Sequence, residues 1–171
     1  RPELERLADR LRVTPHVVFT GNVPFDQIAG HYAQIDLFVV PRIDERAARM
    51  VSPIKPFEAM AMRIPLLVAD LPALVEIVDR DRRGQVFRAG DATALADAAV
   101  RLMDDPAERA RLVEQAARWV AAERSWSSVA RAFGDAYDEL LDHRRRLGDL
   151  ARGTLTRPIT LGDTVGSTEP C

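Results

Sequence analysis

The chain has 171 residues, of which 47% are hydrophobic and 29% are charged. A domain averages roughly 150 residues, so this length predicts one domain with a substantial core. Its 26 acidic and 24 basic residues give a net charge of −2, which argues against a nucleic-acid-binding protein. The single cysteine is the last residue, so neither a disulfide framework nor a cysteine metal site is expected.

Two further expectations concern the location of the protein and the start of the chain. The sequence contains no apolar stretch of membrane-spanning length and no secretory leader, so a cytoplasmic location is expected by default. The first residue is Arg1 rather than methionine, which leaves two interpretations open, a true start and a truncation of a longer protein.

Short apolar runs alternate with helical segments through the first half of the chain. The runs predict strands at residues 16–20, 36–41, 65–70 and 84–87. Apolar spacing predicts helices at residues 3–11, 26–33, 55–62 and 73–78, with a polar loop at 42–52. This alternation predicts an α/β fold with a parallel sheet covered by helices on both faces.

The second half of the chain is predicted to be helical. Asp91 and Asp105 are expected to cap two helices, and Ser125 to open a third. That third helix has an apolar stripe made of Val129, Phe133, Tyr137, Leu140 and Leu141. We expect one domain over residues 1–148, including these closing helices, and a disordered tail at residues 151–171, which lacks periodicity.

Parallel sheets bind ligands beyond the carboxyl ends of their strands, which draws attention to the loops at 21–24, 41–58 and 70–72. Residues 52–62 lead from such a loop into a helix, whose N-terminus is a natural seat for a phosphate. Lys55 adds a full positive charge, and Glu58, about one turn later, can accept hydrogen bonds from sugar hydroxyls. Phosphate and ribose together describe a nucleotide. An exposed helix start with an ordinary Lys55–Glu58 charge pair is the alternative.

Over residues 3–141 the chain resembles the nucleotide-binding, C-terminal half of a retaining GT-B-fold glycosyltransferase. The family is the large mannosyl/glucosyltransferase-like family, also called glycosyl transferases group 1. The matching segments are residues 18–23, 32–41, 52–62, 65–70 and 76–78, Gly84, and residues 90–91 and 126–137. The resemblance implies a Rossmann-like parallel sheet flanked by helices, with a helical C-terminal segment.

The resemblance also implies roles for particular residues. Glu58 matches the second glutamate of the family's motif of two glutamates separated by seven residues, which holds the donor ribose. Lys55 would neutralise the donor diphosphate, together with backbone N–H groups near Val51 and Ser52. Gly21 and its neighbours Asn22 and Val23 would pass beside the base, where a side chain on Gly21 would intrude. The donor would be a nucleoside diphosphate sugar, usually of uridine or guanosine, and no metal ion or other cofactor is expected.

The chain departs from the family pattern at two positions. The first glutamate of the motif would fall on Met50, although Asp44 and Glu45 lie in the same loop. Arg63 stands where the family usually has glycine before the third strand, which puts the local turn in doubt. The catalytic residues are not identified by the resemblance.

The partners implied by the resemblance are a nucleotide-sugar donor and an acceptor that is a polysaccharide, lipid or protein precursor. The family's N-terminal acceptor domain is missing here, so residues 1–171 alone are expected to transfer no sugar. One alternative is a non-catalytic nucleotide-binding module of the same fold, and another is a same-fold nucleotide-sugar epimerase. A phosphorylase is disfavoured, because it would need a lysine for pyridoxal phosphate and Lys55 is the only lysine.

Other conspicuous residues are assigned structural roles. Residues 79–81 resemble the metal-binding Asp-x-Asp of another glycosyltransferase fold, but they fit a solvated turn better. The arginines at 144–146 favour a helix C-terminus, and a peripheral membrane contact is the second interpretation. His31 is expected near a helix end at the surface, and Trp119 and Trp126 in the core.

Overall fold

The structure is a computed structural model that describes the backbone of residues 1–151 and the side chains of residues 1–148. The chain divides into two compact units, of which the first is Arg1–Ala122 and the second begins at Glu123. One functional domain over residues 1–148 stays a prediction.

The first unit is an α/β domain built around a small parallel sheet. Its strands are β1 (Phe38–Val40), β2 (Leu66–Ala69) and β3 (Gln85–Phe87), in the spatial order β1-β2-β3. Its helices are α1 (Pro2–Leu11), α2 (Phe25–Tyr32), α3 (Arg46–Met50), α4 (Lys55–Ala61), α5 (Pro72–Val78), α6 (Ala92–Asp104) and α7 (Pro106–Glu123), whose last residue lies at the unit boundary. The predicted α/β, Rossmann-like fold is confirmed.

The central strand, β2, organises the core. All four of its residues are buried, as expected for a parallel strand covered on both faces. In the ladder Leu67 lies opposite Val39 of β1, and Val68 lies opposite Val86 of β3. The helices contribute further fully buried side chains, among them Met60, Leu74, Val78, Leu102 and Leu112.

The predicted strand at residues 16–20 is wrong. Residues Thr14–His16 form a short 3-10 helix with a proline in its first turn, and no strand is assigned at 17–20. An apolar run becomes a strand only where a neighbour pairs with its backbone groups. In the described part of the chain the sheet ends at β1 on this side, and Val18 is 85% exposed.

The predicted polar loop at 42–52 contains a helix that the sequence pattern did not indicate. This helix, α3, has five residues. The Arg49 guanidinium pairs with the Asp44 carboxylate just before the helix. The Arg42 guanidinium donates to the Val51 carbonyl oxygen at 3.1 Å and so joins the two ends of the segment. Two arginine side chains therefore organise what composition indicated to be a loop.

The second unit is described through one long helix, α8 (Trp126–Ala151), of 26 residues. Its predicted start is confirmed, since the Ser125 hydroxyl accepts a hydrogen bond from the Ser128 N–H at 3.1 Å. The apolar stripe is largely exposed, with Phe133 at 62% and Tyr137 at 64%. Trp126 is 88% exposed, so its assignment to the core is wrong.

The helix continues past Arg146, beyond the residue where periodicity fades in the sequence. Of the predicted tail at 151–171, Ala151 ends α8 and residues 152–171 lie outside the described residues. None of the helices in the described residues combines the length and the apolar character needed to cross a membrane.

Candidate functional site

A cavity of about 610 Å³ lies beside β1 and brings together distant parts of the sequence. Its lining consists of Thr20, Gly21, Asn22, Val23, Ile28, His31, Tyr32, Ile35, Phe38, Lys55 and Glu58. Four of the six residues predicted to bind the donor are among them. Small-molecule sites typically enclose about 300–1,000 Å³, so this cavity has the volume for a nucleotide.

One wall is the loop after the apolar run, where Gly21 has a left-handed backbone with φ of +67°. A side chain is disfavoured there by that backbone angle. A Cβ would also lie 3.3 Å from the Arg1 guanidinium. The loop therefore exposes backbone, flanked by the Asn22 amide, to the cavity. The passage of a base beside Gly21 stays a prediction.

Another part of the lining is the first turn of α4, which is amphipathic. Pro56, Ala59 and Met60 are buried and anchor the helix to the core. Lys55 and Glu58 lie on the other side and line the cavity. The alternation of apolar and charged residues in this segment thus fixes which side chains face the cavity.

The backbone of α4 offers fewer N–H groups than the sequence predicts. The N–H groups of Phe57 and Glu58 both point to the Ile54 carbonyl, at 3.0 and 3.4 Å, and Pro56 has no N–H. The helix has only seven residues. Lys55 is the lysine or arginine in the lining of this cavity, so its ammonium supplies the full positive charge there.

Tyr32, at the end of α2, is a site residue that sequence reasoning missed. Its phenol donates a hydrogen bond to Oε2 of Glu58 at 2.7 Å. Burial, this hydrogen bond and the Glu58 charge all raise the pKa of the Tyr32 phenol, which therefore remains a donor. A signal was available, since a tyrosine inside a predicted apolar face needs a partner for its hydroxyl.

His31 is exposed, as expected, and it also lines the cavity. Apolar side chains in the lining include Ile28 and Ile35, which precede and follow Tyr32 in the sequence, and Phe38 of β1. Apolar walls with a few polar groups are typical of small-molecule sites.

Val51 and Ser52 do not belong to the lining of this cavity. Val51 lines a separate cavity, and its N–H donates to the Ala47 carbonyl at 3.0 Å. Met50, at the position of the missing glutamate, is 73% exposed. The donor-binding roles of Val51 and Ser52 stay predictions.

The acidic pair at residues 79–81 has structural partners. All three residues have left-handed backbones, with φ of 50°, 44° and 63°. The Asp79 carboxylate accepts from Arg83 at 3.2 Å, and Asp81 Oδ1 accepts from the Val86 N–H at 2.9 Å. The carboxylates thus stabilise a turn. The described residues contain no cluster of three or more His, Cys, Asp or Glu suited to hold a metal ion.

The loop at 70–72 lies at a different cavity, which Asp70 and Pro72 line together with Arg80 and Asp81. Asp70 Oδ1 accepts a hydrogen bond from the Ala89 N–H at 2.6 Å. Three loops were predicted to carry the chemistry. The loop at 21–24 and the end of the loop at 41–58 line the same cavity, whereas the loop at 70–72 lines a different one.

The family model "Glycosyl transferases group 1" matches residues 1–105. Over 134 residues the chain is 28% identical to a GDP-mannose-dependent alpha-(1-6)-phosphatidylinositol monomannoside mannosyltransferase from Mycobacterium tuberculosis, covering 77% of this chain and 35% of the relative. The chain therefore spans about a third of the length of this relative.

Two solved structures have similar folds. Sucrose-phosphate synthase from Thermosynechococcus elongatus matches with a TM-score of 0.70 and 25% identity, over 83% of this chain and 34% of that one. HepE from Anabaena, solved in complex with UDP and glucose, matches with a TM-score of 0.68 and 20% identity, over 81% of this chain and 36% of that one.

Proposed function

Since the chain belongs to the glycosyl transferases group 1 family, we propose that the cavity beside β1 binds the nucleoside diphosphate part of a nucleotide-sugar donor. The observation that carries the proposal is the convergence of Lys55, Glu58, Gly21 and Asn22 on one cavity. A cation suits a diphosphate, a carboxylate suits ribose hydroxyls, and exposed backbone at a glycine suits a flat base.

The proposed chemistry is the transfer of a sugar to an acceptor by the protein of which this chain spans the donor-binding part. The bond between the anomeric carbon and the diphosphate oxygen breaks, and the acceptor oxygen takes its place on that carbon. The acceptor hydroxyl loses its proton to the departing diphosphate. Negative charge develops on the departing diphosphate, and Lys55 stabilises it electrostatically. We propose that no metal ion is needed for this step, that the anomeric configuration is retained, and that the reaction takes place in the cytoplasm.

The identity of the donor is left open between two bases. The mycobacterial relative is named for GDP-mannose, and the Anabaena structure contains UDP, so both diphosphates belong in a binding test. The acceptor, a polysaccharide, lipid or protein precursor, is supplied through a further domain in this proposal. The membrane-surface role of residues 144–146 is a proposal of the same kind, and these arginines are exposed.

Calorimetry tests the proposal by separating the phosphate contribution from the sugar contribution. UDP and GDP are compared with uridine and guanosine for the unmodified protein and for Lys55→Ala and Glu58→Ala. Lys55→Ala should lower the affinity for the diphosphate by about tenfold or more, because one charge-assisted contact contributes about 1.5–3 kcal/mol. The affinity for the nucleoside should stay nearly unchanged. Glu58→Ala should weaken nucleoside and diphosphate alike.

Arg101→Ala is the matched control, since Arg101 is an exposed cation on α6, outside the lining of this cavity. It should leave the affinity for all four ligands unchanged. The proposal fails if neither UDP nor GDP binds the unmodified protein. It also fails if Lys55→Ala weakens uridine or guanosine as much as the matching diphosphate.

A further inference from the structure

Glu58 reaches the cavity on a long side chain with three rotatable torsions, and more than a third of the residue's surface is exposed. A free glutamate of this kind samples several rotamers, and a ligand that requires one of them loses affinity in selecting it. A group that holds the carboxylate before the ligand arrives would remove this penalty.

Tyr32 is placed to do so. Its hydroxyl lies 2.7 Å from Glu58 Oε2, so α2 and α4 are joined across 26 residues of sequence by a hydrogen bond to a charged acceptor. Only one carboxylate oxygen is used in this contact. An ionised carboxylate has acceptor sites on both oxygens, so Oε1 is left for hydroxyl groups of a ligand.

The Tyr32 side chain is itself held firmly. The residue is 8% exposed and belongs to the core cluster that includes Met60 and Leu66. Its ring stacks on Phe38 with the centroids 5.7 Å apart and the planes 17° from parallel. The position of the phenolic oxygen is therefore fixed by the core rather than by the loop around the cavity.

From these contacts we infer that Tyr32 is a positioning residue, whose hydroxyl holds the Glu58 carboxylate in the orientation that binds the ribose hydroxyls of the donor. The inference rests on the proposed function. The effect of the Tyr32 hydroxyl on donor affinity then requires both the Glu58 carboxylate and the hydroxyl groups of the ribose.

Tyr32→Phe is the central variant, because it removes the hydroxyl and keeps the stacked ring. Affinities for UDP and GDP are measured by calorimetry beside those for their 2′,3′-dideoxy analogues. Tyr32→Phe should weaken UDP or GDP about two- to tenfold, the range expected when one side chain must be ordered on binding. The dideoxy analogue of the same base should bind as it does to the unmodified protein.

A double-mutant cycle with Glu58→Ala distinguishes positioning from general damage to the cavity. Once Glu58 is absent, Tyr32→Phe should cause no further loss of UDP or GDP affinity. Tyr137→Phe, which removes the exposed phenol on α8, is the control and should change nothing.

The outcomes separate this inference from the proposed function. If neither diphosphate binds the unmodified protein, both are overturned. If UDP or GDP binds but Tyr32→Phe leaves its affinity unchanged, or weakens the dideoxy analogue equally, only the inference is overturned.

Glu58→Asp serves as a second variant should Tyr32→Phe reduce the yield of folded protein. It keeps the negative charge but withdraws the carboxylate from the phenol. The inference expects a similar two- to tenfold loss for the ribose form alone, and an unchanged affinity overturns it.

Discussion

The guanidinium of Arg63 forms an ion pair with the carboxylate of Glu114, which links the turn before β2 to the middle of α7. Arg63 has a left-handed backbone with φ of +59°, a conformation that glycine adopts at no steric cost. The family usually has glycine here, and the sequence put the turn in doubt. The structure keeps the turn, and the chain enters β2 directly afterwards.

This backbone strain can be measured by comparing Arg63→Gly with Arg63→Ala. Both variants lose the ion pair with Glu114, so their difference reflects the backbone alone. We expect Arg63→Gly to be the more stable variant by about 1 kcal/mol in denaturant unfolding. Ala96→Gly, on the exposed side of α6, is the opposite control and should lose about 1 kcal/mol. Equal stability of the two Arg63 variants would show that the turn is unstrained.

Two other glycines should respond to alanine in opposite directions. A Cβ on Gly84 would lie 2.9 Å from both Leu66 Cβ and Val78 Cγ1, whereas a Cβ on Gly30 in α2 would meet nothing within 4 Å. Gly84→Ala should therefore destabilise the protein by about 1–3 kcal/mol through overpacking. Gly30→Ala should stabilise it by about 0.5–1 kcal/mol, because it favours the helix. Chemical denaturation measures both, and a stabilising Gly84→Ala would contradict the packing.

Periodicity predicted the elements that are stabilised by residues close in sequence and those that are buried on both faces. β2 and α4 lie within one residue of their predicted ends, because a continuous apolar run and an amphipathic segment have few alternatives. The strand predicted at 16–20 was wrong for the converse reason. Its composition is that of a strand, but pairing depends on a neighbour that composition cannot reveal. α3 was missed because an ion pair and a hydrogen bond from an arginine to a backbone carbonyl, rather than periodicity, organise it.

The candidate site was predictable only in part for a similar reason. Lys55 and Glu58 could be associated from their spacing in one helix turn. Their proximity to Gly21 could be expected only from the rule that loops at the carboxyl ends of parallel strands lie together, and from the resemblance, since no local pattern connects the two segments. Tyr32 was missed because its hydrogen bond to Glu58 depends on how α2 packs against α4, and the spacing of residues along the chain carries no information on that packing.

The start of α6 offers a test of helix capping. Asp91 Oδ1 accepts a hydrogen bond from the Ala94 N–H at 2.9 Å, as the sequence predicts. Asp91→Ala should lower the free energy of unfolding by about 0.5–2 kcal/mol, because a first-turn N–H loses its acceptor. Asp91→Asn retains a side-chain oxygen and should cost much less. Thermal and denaturant unfolding measure both, and equal losses would argue against the cap.

The pKa of Glu114 is lowered, first by the hydrogen bond from Arg118 and then by Arg63, which predicts an acid-sensitive stability. A carboxyl whose pKa is lower in the folded state stabilises the protein fully above its unfolded-state pKa, about 4.5. As the pH falls below this value, the unfolded chain takes up the proton first. The contribution is then lost progressively until the pH has passed the folded-state pKa.

Glu114→Gln removes this titration and provides the comparison. The unmodified protein should unfold at a higher temperature than Glu114→Gln at pH 7, and the gap should narrow steadily below about pH 4.5. Because the Glu114 side chain is 39% exposed, added salt should also narrow the gap at pH 7 by screening both arginine partners. Calorimetric unfolding across this pH range measures the effect. A gap that stays constant or widens with acid would show that the two arginines do not hold the carboxylate in its ionised form.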